Sequence, residues 1–207
     1  MRRRTNLPDA AARLLQSQAG VISTAQLLAS GLSRRVVDRF TAGWEQVTQG
    51  VHLAGPPRWE SAVWAGLLHG GAQAAAGGMA ACFLERALRD PPSTILVWAP
   101  NARRQLVVGD WTVEFRRGVV DAYRSPRRTR IHEGLLDAAR TSNERDTIAT
   151  IASAFSRQVA DPGRLLEALE LRQRQPHRAT IEALCTPVPG LAWPGRWLPR
   201  LSCGLAV

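Results

Sequence analysis

The spacing of apolar residues predicts three short helices in the first forty residues. Ala12, Leu14 and Leu15 fall on one side of a first helix over residues 9–18. A second helix, over residues 24–30, would bury Leu27 and Leu28, and a third begins at residue 34. Such closely spaced amphipathic segments are typical of a small helical unit with a single core.

The residues around the second helix are those that begin and end helices. Ser23 is expected at its N-cap, with Gln26 three residues later completing a capping box. Gly31 can adopt the left-handed conformation that ends a helix, and Ser33 is predicted to cap the third helix. The sequence therefore predicts a helix, a tight turn and a second helix.

The third helix separates an apolar side from a basic one. At about 100° per residue, the apolar side carries Val36, Val37 and Phe40. The opposite side carries Arg34, Arg35, Asp38 and Arg39. This arrangement favours a DNA-binding helix-turn-helix, and the alternative is a helical hairpin with an ordinary solvated arginine face.

Two β-prone runs follow the helices, on either side of Gln49-Gly50. The Gln-Gly pair predicts a tight hairpin turn. A helix-turn-helix followed directly by a hairpin is a winged helix, so residues 1–56 are predicted to form a winged helix-turn-helix DNA-binding domain.

A stiff break at Gly55-Pro56-Pro57 marks the predicted domain boundary. Beyond it, residues 57–185 alternate helical and strand patterns, which predicts an α+β domain. Helices are expected over residues 59–69, 79–89, 133–140 and 146–159, with further helices starting at residues 162 and 179. The inward side of the helix over 146–159 would carry Ile148, Ile151, Ala152 and Phe155. Strands over residues 94–99, 106–108 and 111–116 would form a small antiparallel sheet, and residues 186–207 form an irregular tail rich in proline and tryptophan.

The charge of the chain changes this picture by suggesting a polyanionic partner. The net charge is +10, and all 27 basic residues are arginine, since the sequence contains no lysine. Residues 1–58 and residues 100–130 each hold eight arginines against three acidic residues. The absence of lysine excludes Schiff-base chemistry and phosphate-loop or nuclease lysines. Two basic regions favour nucleic acid as the partner.

Other candidate chemistry is weak. The three cysteines, Cys82, Cys185 and Cys203, are scattered, and the four histidines show no metal-ligand spacing, so no metal and no cofactor are predicted. Asp110, Glu114 and Arg116 superficially resemble a nuclease set, but an arginine cannot replace its lysine, and the chain is not predicted to be an enzyme. Neither a signal peptide nor a membrane span is recognisable, and a cytoplasmic location is expected.

The predicted DNA contacts belong to the third helix and the hairpin. They are Ser33, Arg34, Arg35, Arg39 and Thr41 on the helix side, with Gln46, Thr48 and Gln49 on the hairpin. Arginine bonds a guanine edge bidentately, and the hydroxyl groups suit phosphates. Arg34 and Asp38 are four residues apart and could pair with each other, which would lower the value of Arg34 as a base reader.

A flexible basic arm at residues 2–4 is an additional candidate for DNA contact. The second basic region, over residues 103–130, is either a soluble surface or a second docking face.

Several blocks of the sequence resemble AbiEi-type proteins, the antitoxin and transcriptional-regulator components of type IV toxin–antitoxin systems. The distinctive blocks are Gly-Val-Ile-Ser at residues 20–23 and Gly-Leu-Ser-Arg at residues 31–34, with weaker ones at residues 42–44 and 47–52. Ile-Leu-Val-Trp-Ala-Pro at 95–100, Pro-Arg-Arg-Thr at 126–129 and Leu-Leu-Asp-Ala-Ala at 135–139 follow in the same order. The resemblance covers residues 8–184.

The resemblance implies a repressor that binds double-stranded DNA at its own promoter and also neutralises a cognate, nucleotidyltransferase-like toxin. Related longer chains carry a very-short-patch-repair-like endonuclease domain after the region that matches residue 184, and this sequence lacks it. The alternative is therefore a truncated, catalytically inactive remnant of such a two-domain protein. A third possibility is a protein-interaction module whose basic faces bind a protein partner.

Overall fold

The computed structural model describes residues 6–186, and it confirms the predicted α+β class. The helices of this region are α1 Asp9–Ser17, α2 Thr24–Ala29, α3 Arg34–Thr41, α4 Trp59–Gly70, α5 Gly78–Leu84, α6 Ile131–Ala139, α7 Glu144–Ser156, α8 Pro162–Glu170 and α9 Arg178–Cys185. The strands are β1 Val21–Ser23, β2 Glu45–Thr48, β3 Val51–Leu53, β4 Ala75–Gly77, β5 Thr94–Ala99, β6 Leu106–Val108, β7 Trp111–Arg117, β8 Ala122–Tyr123 and β9 Arg128–Thr129. Among these described helices, none is long and apolar enough to cross a membrane.

The first unit runs α1-β1-α2-α3-β2-β3, and its strands form an antiparallel sheet in the order β1-β3-β2. The predicted capping box is present at α2. The backbone N–H of Gln26 donates to Ser23 Oγ at 3.1 Å, and the backbone N–H of Ser23 donates to Gln26 Oε1 at 2.9 Å. Gly31 ends the turn after α2 with φ +88°, and Gly50 has φ +75° in the hairpin turn. The local signals therefore act as the sequence predicts.

The core of this unit differs in detail from the prediction. Its buried apolar side chains are Ala11, Ile22, Leu27, Leu32 and Val37. Leu28, predicted to be buried, is 39% exposed, and Ala12 is exposed where Ala11 is buried. Both errors have one cause: neighbouring residues of a helix point about 100° apart, and a short helix buries a narrow stripe. Leu32, from the turn, is a buried member of this core.

The second sheet has six strands in the order β6-β7-β5-β4-β9-β8, and it is mixed. The predicted small antiparallel sheet is therefore wrong: β5 runs parallel to β7, and β4 runs parallel to β9. After the turn at Gly109, β7 lies between β6 and β5 and pairs antiparallel with β6 and parallel with β5. The helix predicted over 79–89 is shorter, because α5 ends at Leu84, and residues 75–77 before it form β4.

Helix α4 lies between the two sheets. On one side it packs on Val21, Val51 and Leu53 of the first sheet, and on the other on the apolar face of the second sheet. Gly66 permits the close approach, since a Cβ there would lie 2.7 Å from Val113 Cγ1. The boundary predicted at residue 56 falls in the connection between β3 and α4.

The last four helices form a separate apolar cluster with part of α5. Its fully buried side chains include Leu135, Leu136, Ile151, Leu165, Leu169 and Ile181. In α7 the buried stripe is Thr147, Thr150, Ile151, Ala154 and Phe155. Ile148 and Ala152, predicted on this side, are exposed, because the preceding residues Thr147 and Ile151 face the core in their place. The predicted arm at residues 2–4 and the tail beyond Thr186 lie outside the described residues.

Candidate nucleic-acid interface

The outer face of α3 carries the predicted arginines. Arg34, Arg35 and Arg39 are all exposed, whereas Val37 on the opposite side is 1% exposed. Within residues 6–186, the side chains of Arg35 and Arg39 make no hydrogen bond or ion pair. This face is therefore positioned by its buried side and is open to solvent.

Arg34 differs from the other two because it pairs with Asp38, as its spacing indicated. Arg34 Nε donates to Asp38 Oδ1 at 3.1 Å, and the two side chains are 72% and 60% exposed. An exposed pair four residues apart in a helix contributes only about 0.3–0.5 kcal/mol. A phosphate or a base edge can therefore replace Asp38 as the partner of Arg34 at little cost.

The two predicted hydroxyl contacts of α3 are not equivalent. Ser33 occupies the N-cap position with extended backbone, but its side chain makes no capping hydrogen bond, so the predicted side-chain cap is wrong. Its exposed hydroxyl remains available. Thr41 is half-buried and donates its hydroxyl to the backbone oxygen of Val37 at 3.1 Å. Within the described residues its hydroxyl is thus directed at α3 itself.

The hairpin residues lie on β2 and its turn. Gln46 and Gln49 are exposed, and Thr48 is half-buried opposite Val51. The turn is held against the start of α2, because the backbone N–H of Thr24 donates to the oxygen of Gly50 at 2.8 Å. The hairpin is therefore fixed relative to the helices.

His52 of β3, considered in the sequence only as a metal ligand, joins the hairpin to α2. It is 9% exposed, and its Nε2 lies 3.1 Å from Thr24 Oγ1. Burial lowers the pKa of His52, the nearby Arg34 charge lowers it further, and Asp38 raises it. The imidazole is therefore neutral near pH 7 and acts as a structural hydrogen-bonding group.

Most arginines of the second basic region, residues 103–130, fall into two groups: those that contact Glu85 or Tyr123 and those that are exposed elsewhere. Arg128 is buried and ion-paired with Glu85, and Arg124 Nη1 also reaches Glu85 at 3.3 Å. The guanidinium groups of Arg124, Arg128 and Arg130 lie 5.2–5.9 Å from the Tyr123 ring centre. These arginines stabilise the edge of the second sheet. The other exposed members of the region are Arg103, Arg104, Arg117 and Arg127.

The remaining candidate groups do not assemble into a metal or nuclease site among the described residues. Within residues 6–186, no group of three or more His, Cys, Asp or Glu is close enough to hold a metal ion. Glu114 is exposed on β7. Cys82 is fully buried, and burial raises the pKa of its thiol far above the usual range.

Sequence reasoning missed a second group of functional candidates. Trp98, Arg116, Thr129, Asp137 and Arg172 line one cleft, although they come from five different elements or connections. They are separated by up to about seventy residues of chain, and no local pattern joins them. The one available signal was their residue type, since arginine and tryptophan are common in binding sites.

No family model, curated protein or solved structure matches this chain. The resemblance to AbiEi-type proteins therefore remains a prediction from the sequence blocks.

Proposed function

We propose that this chain is a DNA-binding transcription regulator that places α3 in the major groove of duplex DNA. The observation that carries the proposal is the face of α3: three exposed arginines stand on a helix whose opposite side is buried. A buried side fixes the direction of the helix, so the arginines form a preset surface. The side chains of Arg35 and Arg39 make no hydrogen bond or ion pair within the described residues, so they are free to bind DNA.

The order of elements supports this proposal. A helix, a strand, two helices joined by a turn and a hairpin, with the first strand paired to the last, fits the winged helix-turn-helix that we propose for this region. In such domains the second helix of the turn enters the major groove, and the hairpin lies beside it on the backbone. Here α3 would be that helix, with Gln46 and Gln49 exposed on the hairpin.

The chemistry of the face fits base and phosphate recognition together. Arg35 and Arg39 are four residues apart, about one helical turn, so their side chains extend from the same side of α3. Each arginine that bonds a guanine edge bidentately gives about 1–3 kcal/mol of discrimination. The Ser33 hydroxyl at the start of α3 is placed for a phosphate.

The test compares two double variants that lose the same charge. Arg35→Ala with Arg39→Ala removes the α3 arginines, whereas Arg145→Ala with Arg157→Ala removes two exposed arginines of α7 and its C-terminal end. Binding is measured by fluorescence anisotropy on the duplex upstream of the chain's own gene and on a scrambled duplex. Both duplexes are titrated at several salt concentrations.

We expect the α3 variant to bind the specific duplex at least about tenfold more weakly, since a bidentate bond to a base edge is worth a factor of that order. If the arginines bind phosphates, the slope of log affinity against log salt should fall by about 0.9 for each phosphate that is no longer neutralised. The α7 variant should bind like the wild type. An equal loss of DNA affinity in the two variants would show that only net charge attracts DNA. A DNA affinity of the α3 variant equal to that of the wild type would show that α3 is not part of the interface.

We further propose that the chain represses its own promoter and acts as an antitoxin, which the sequence blocks described above imply. Residues 57–185 would then bind a toxin, with the exposed arginines of the second basic region as one candidate surface. Co-expression with the neighbouring gene tests this half separately. If the product of the neighbouring gene is toxic when expressed alone and harmless when co-expressed with this chain, the antitoxin role is supported. If that product is harmless when expressed alone, the antitoxin role is refuted. The result of this co-expression experiment neither supports nor contradicts DNA binding by α3.

A further inference from the structure

A cleft of about 770 Å³ lies away from α3, where the second sheet meets α6 and the segment after α8. Trp98 of β5 and Arg116 of β7 are paired in register across the two parallel strands, so their side chains stand on the same face of the sheet. Both lie near the carboxyl ends of these strands. Crevices at the carboxyl ends of parallel strands are common ligand sites.

The electrostatics of the cleft favour an anion. Its lining includes five arginines and three acidic residues, an excess of two positive charges: Arg116, Arg130, Arg140, Arg172 and Arg174 against Asp121, Glu133 and Asp137. All three carboxylates are already paired, and Arg130 Nε donates to Asp121 Oδ2 at 3.1 Å. Arg172 pairs with both Glu133 and Asp137, and Asp137 also accepts from Trp98 Nε1 at 2.8 Å. All three carboxylates therefore have protein partners, and Arg116, Arg140 and Arg174 are not ion-paired with a carboxylate among the described residues.

Two buried polar atoms of the lining lack such partners. Arg116 Nη1 and Thr129 Oγ1 are both inaccessible to solvent, and neither has a hydrogen-bond partner among residues 6–186. Arg116 has a ring contact, since its guanidinium lies 5.2 Å from the Trp98 ring centre, but this leaves its N–H groups unused. Thr129 is only 1% exposed. A buried donor without a partner costs free energy, and a bound group that accepts its hydrogen bond removes that cost.

At the rim of the cleft, the guanidinium of Arg174 also favours an anionic ligand. Arg174 is exposed and lines the cleft, and within the described residues its side chain makes no hydrogen bond or ion pair. Its backbone oxygen accepts from Arg140 Nη1 at 3.4 Å, which joins the two rim arginines. The rim and the floor therefore offer donors to the same space.

We propose that this cleft binds a phosphorylated small molecule of nucleotide size. The phosphate accepts hydrogen bonds from Arg116 and from the Thr129 hydroxyl, with Arg174 and Arg140 at the entrance. The exposed Val119 and the half-buried Val120 form an apolar wall for the remainder of the ligand. The volume lies in the range of about 300–1,000 Å³ found for small-molecule pockets. This proposal does not depend on DNA binding by α3.

The experiment is isothermal titration of the full chain with three probes at constant ionic strength: inorganic phosphate, adenosine monophosphate and adenosine. We expect binding of both phosphate probes and none of adenosine. Arg116→Met should weaken binding of the monophosphate by about tenfold or more, because a hydrogen bond to a charged group is removed. Thr129→Val keeps the side-chain volume and should weaken binding roughly fivefold.

Arg117→Met is the matched control. Arg117 is the next residue of β7, is exposed and does not line the cleft, so the affinity of this variant should stay within about twofold of the wild type. Melting curves without ligand establish that each variant is folded. If Arg116→Met unfolds, Thr129→Val still tests the site without a change of charge.

Three outcomes would overturn the proposal. The first is no binding of either phosphate probe at millimolar concentration. The second is an equal loss of affinity in Arg116→Met and Arg117→Met, which would indicate unspecific charge attraction. The third is a weakened affinity for duplex DNA in the cleft variants without any binding of the small probes, which would make the cleft part of a DNA surface.

Discussion

Removal of Arg172 should destabilise the fold, because this side chain neutralises a buried carboxylate. Asp137 of α6 has a side chain only 3% exposed, and its Oδ1 accepts from Arg172 Nη1 at 2.8 Å. Arg172 closely follows α8 and also pairs with Glu133 one turn earlier in α6. The substitution Arg172→Met keeps much of the side-chain length and removes the charge, which leaves Asp137 with Trp98 as its remaining donor.

The size of the effect follows from the burial of the two partners. Breaking a buried ion pair by removal of one partner costs about 3–5 kcal/mol. Because the Arg172 side chain is 19% exposed and Trp98 still donates to Asp137, we expect the lower end, about 3 kcal/mol. For a chain of this size, each kcal/mol lowers the melting temperature by about 2–4 °C. Arg172→Met should therefore melt about 6–12 °C below the wild type.

Thermal unfolding followed by circular dichroism measures this shift. Arg145→Met, at an exposed position of α7, is the control and should stay within about 0.5 kcal/mol of the wild type. Adding Asp137→Asn to Arg172→Met removes the orphaned charge and should recover part of the stability. A single variant that melts within about 2 °C of the wild type would refute the reasoning. A double variant no more stable than Arg172→Met would show that the buried charge is not the cause.

Three further predictions concern the core and the titrating groups. Leu27→Ala should cost about 2–5 kcal/mol in urea unfolding because Leu27 is fully buried, whereas Leu28→Ala, at a 39% exposed position, should cost less than about 1 kcal/mol. Burial lowers the pKa of three histidines, so their folded forms bind protons less readily than the unfolded chain: they are His52, His69 and His132. Stability should therefore fall as the pH drops through the unfolded value near 6.5, and a melting temperature unchanged between about pH 7.5 and about pH 5 would contradict this. Cys82 should react with iodoacetamide only in denaturant, since its thiol is buried and its pKa is raised by that burial, and labelling of the native protein at Cys82 in a peptide map would contradict this.

The features that the sequence predicted correctly are those set by neighbouring residues. The capping box at Ser23 and Gln26 needs only a spacing of three, and the turn at Gly50 needs only two adjacent residues. The alternation of apolar and polar residues over 111–116 favours Val113 inward and Glu114 outward whatever the partner strand is, and β7 has this arrangement. Local chemistry decides these features, so a single sequence contains enough information to predict them.

The errors arise where the fold depends on distant residues. β1 and β4 are three residues each, too short for a period of two to be recognised. β4 also lies in an Ala-Gly run that resembles a helix or a loop, and it forms a strand because it pairs with β5 and β9 on either side. The parallel pairing of β5 with β7 also cannot be predicted from the sequence, since the pattern of a strand indicates which side chains share a face and not which strand is its partner.

The same distinction separates the two candidate sites. The arginines of α3 belong to one short helix, so their common face follows from helical periodicity. The cleft is assembled from Trp98, Arg116, Thr129 and residues after α8, and their proximity depends on the sheet order. A sequence with 27 arginines offers no way to decide which of them meet in such a cleft.

The structure divides the arginines into two classes, and this division bears on how the DNA test can be interpreted. Arg128 is buried and Arg172 is half-buried, and both are paired with carboxylates, so replacing them changes stability first. Arg35 and Arg39 are exposed and have no ion pair within the described residues, so replacing them removes nothing that supports the fold. Surface substitutions of this kind usually stay within about 0.5 kcal/mol. Weaker DNA binding by the α3 variant would therefore mean that DNA-binding groups have been removed from an intact domain.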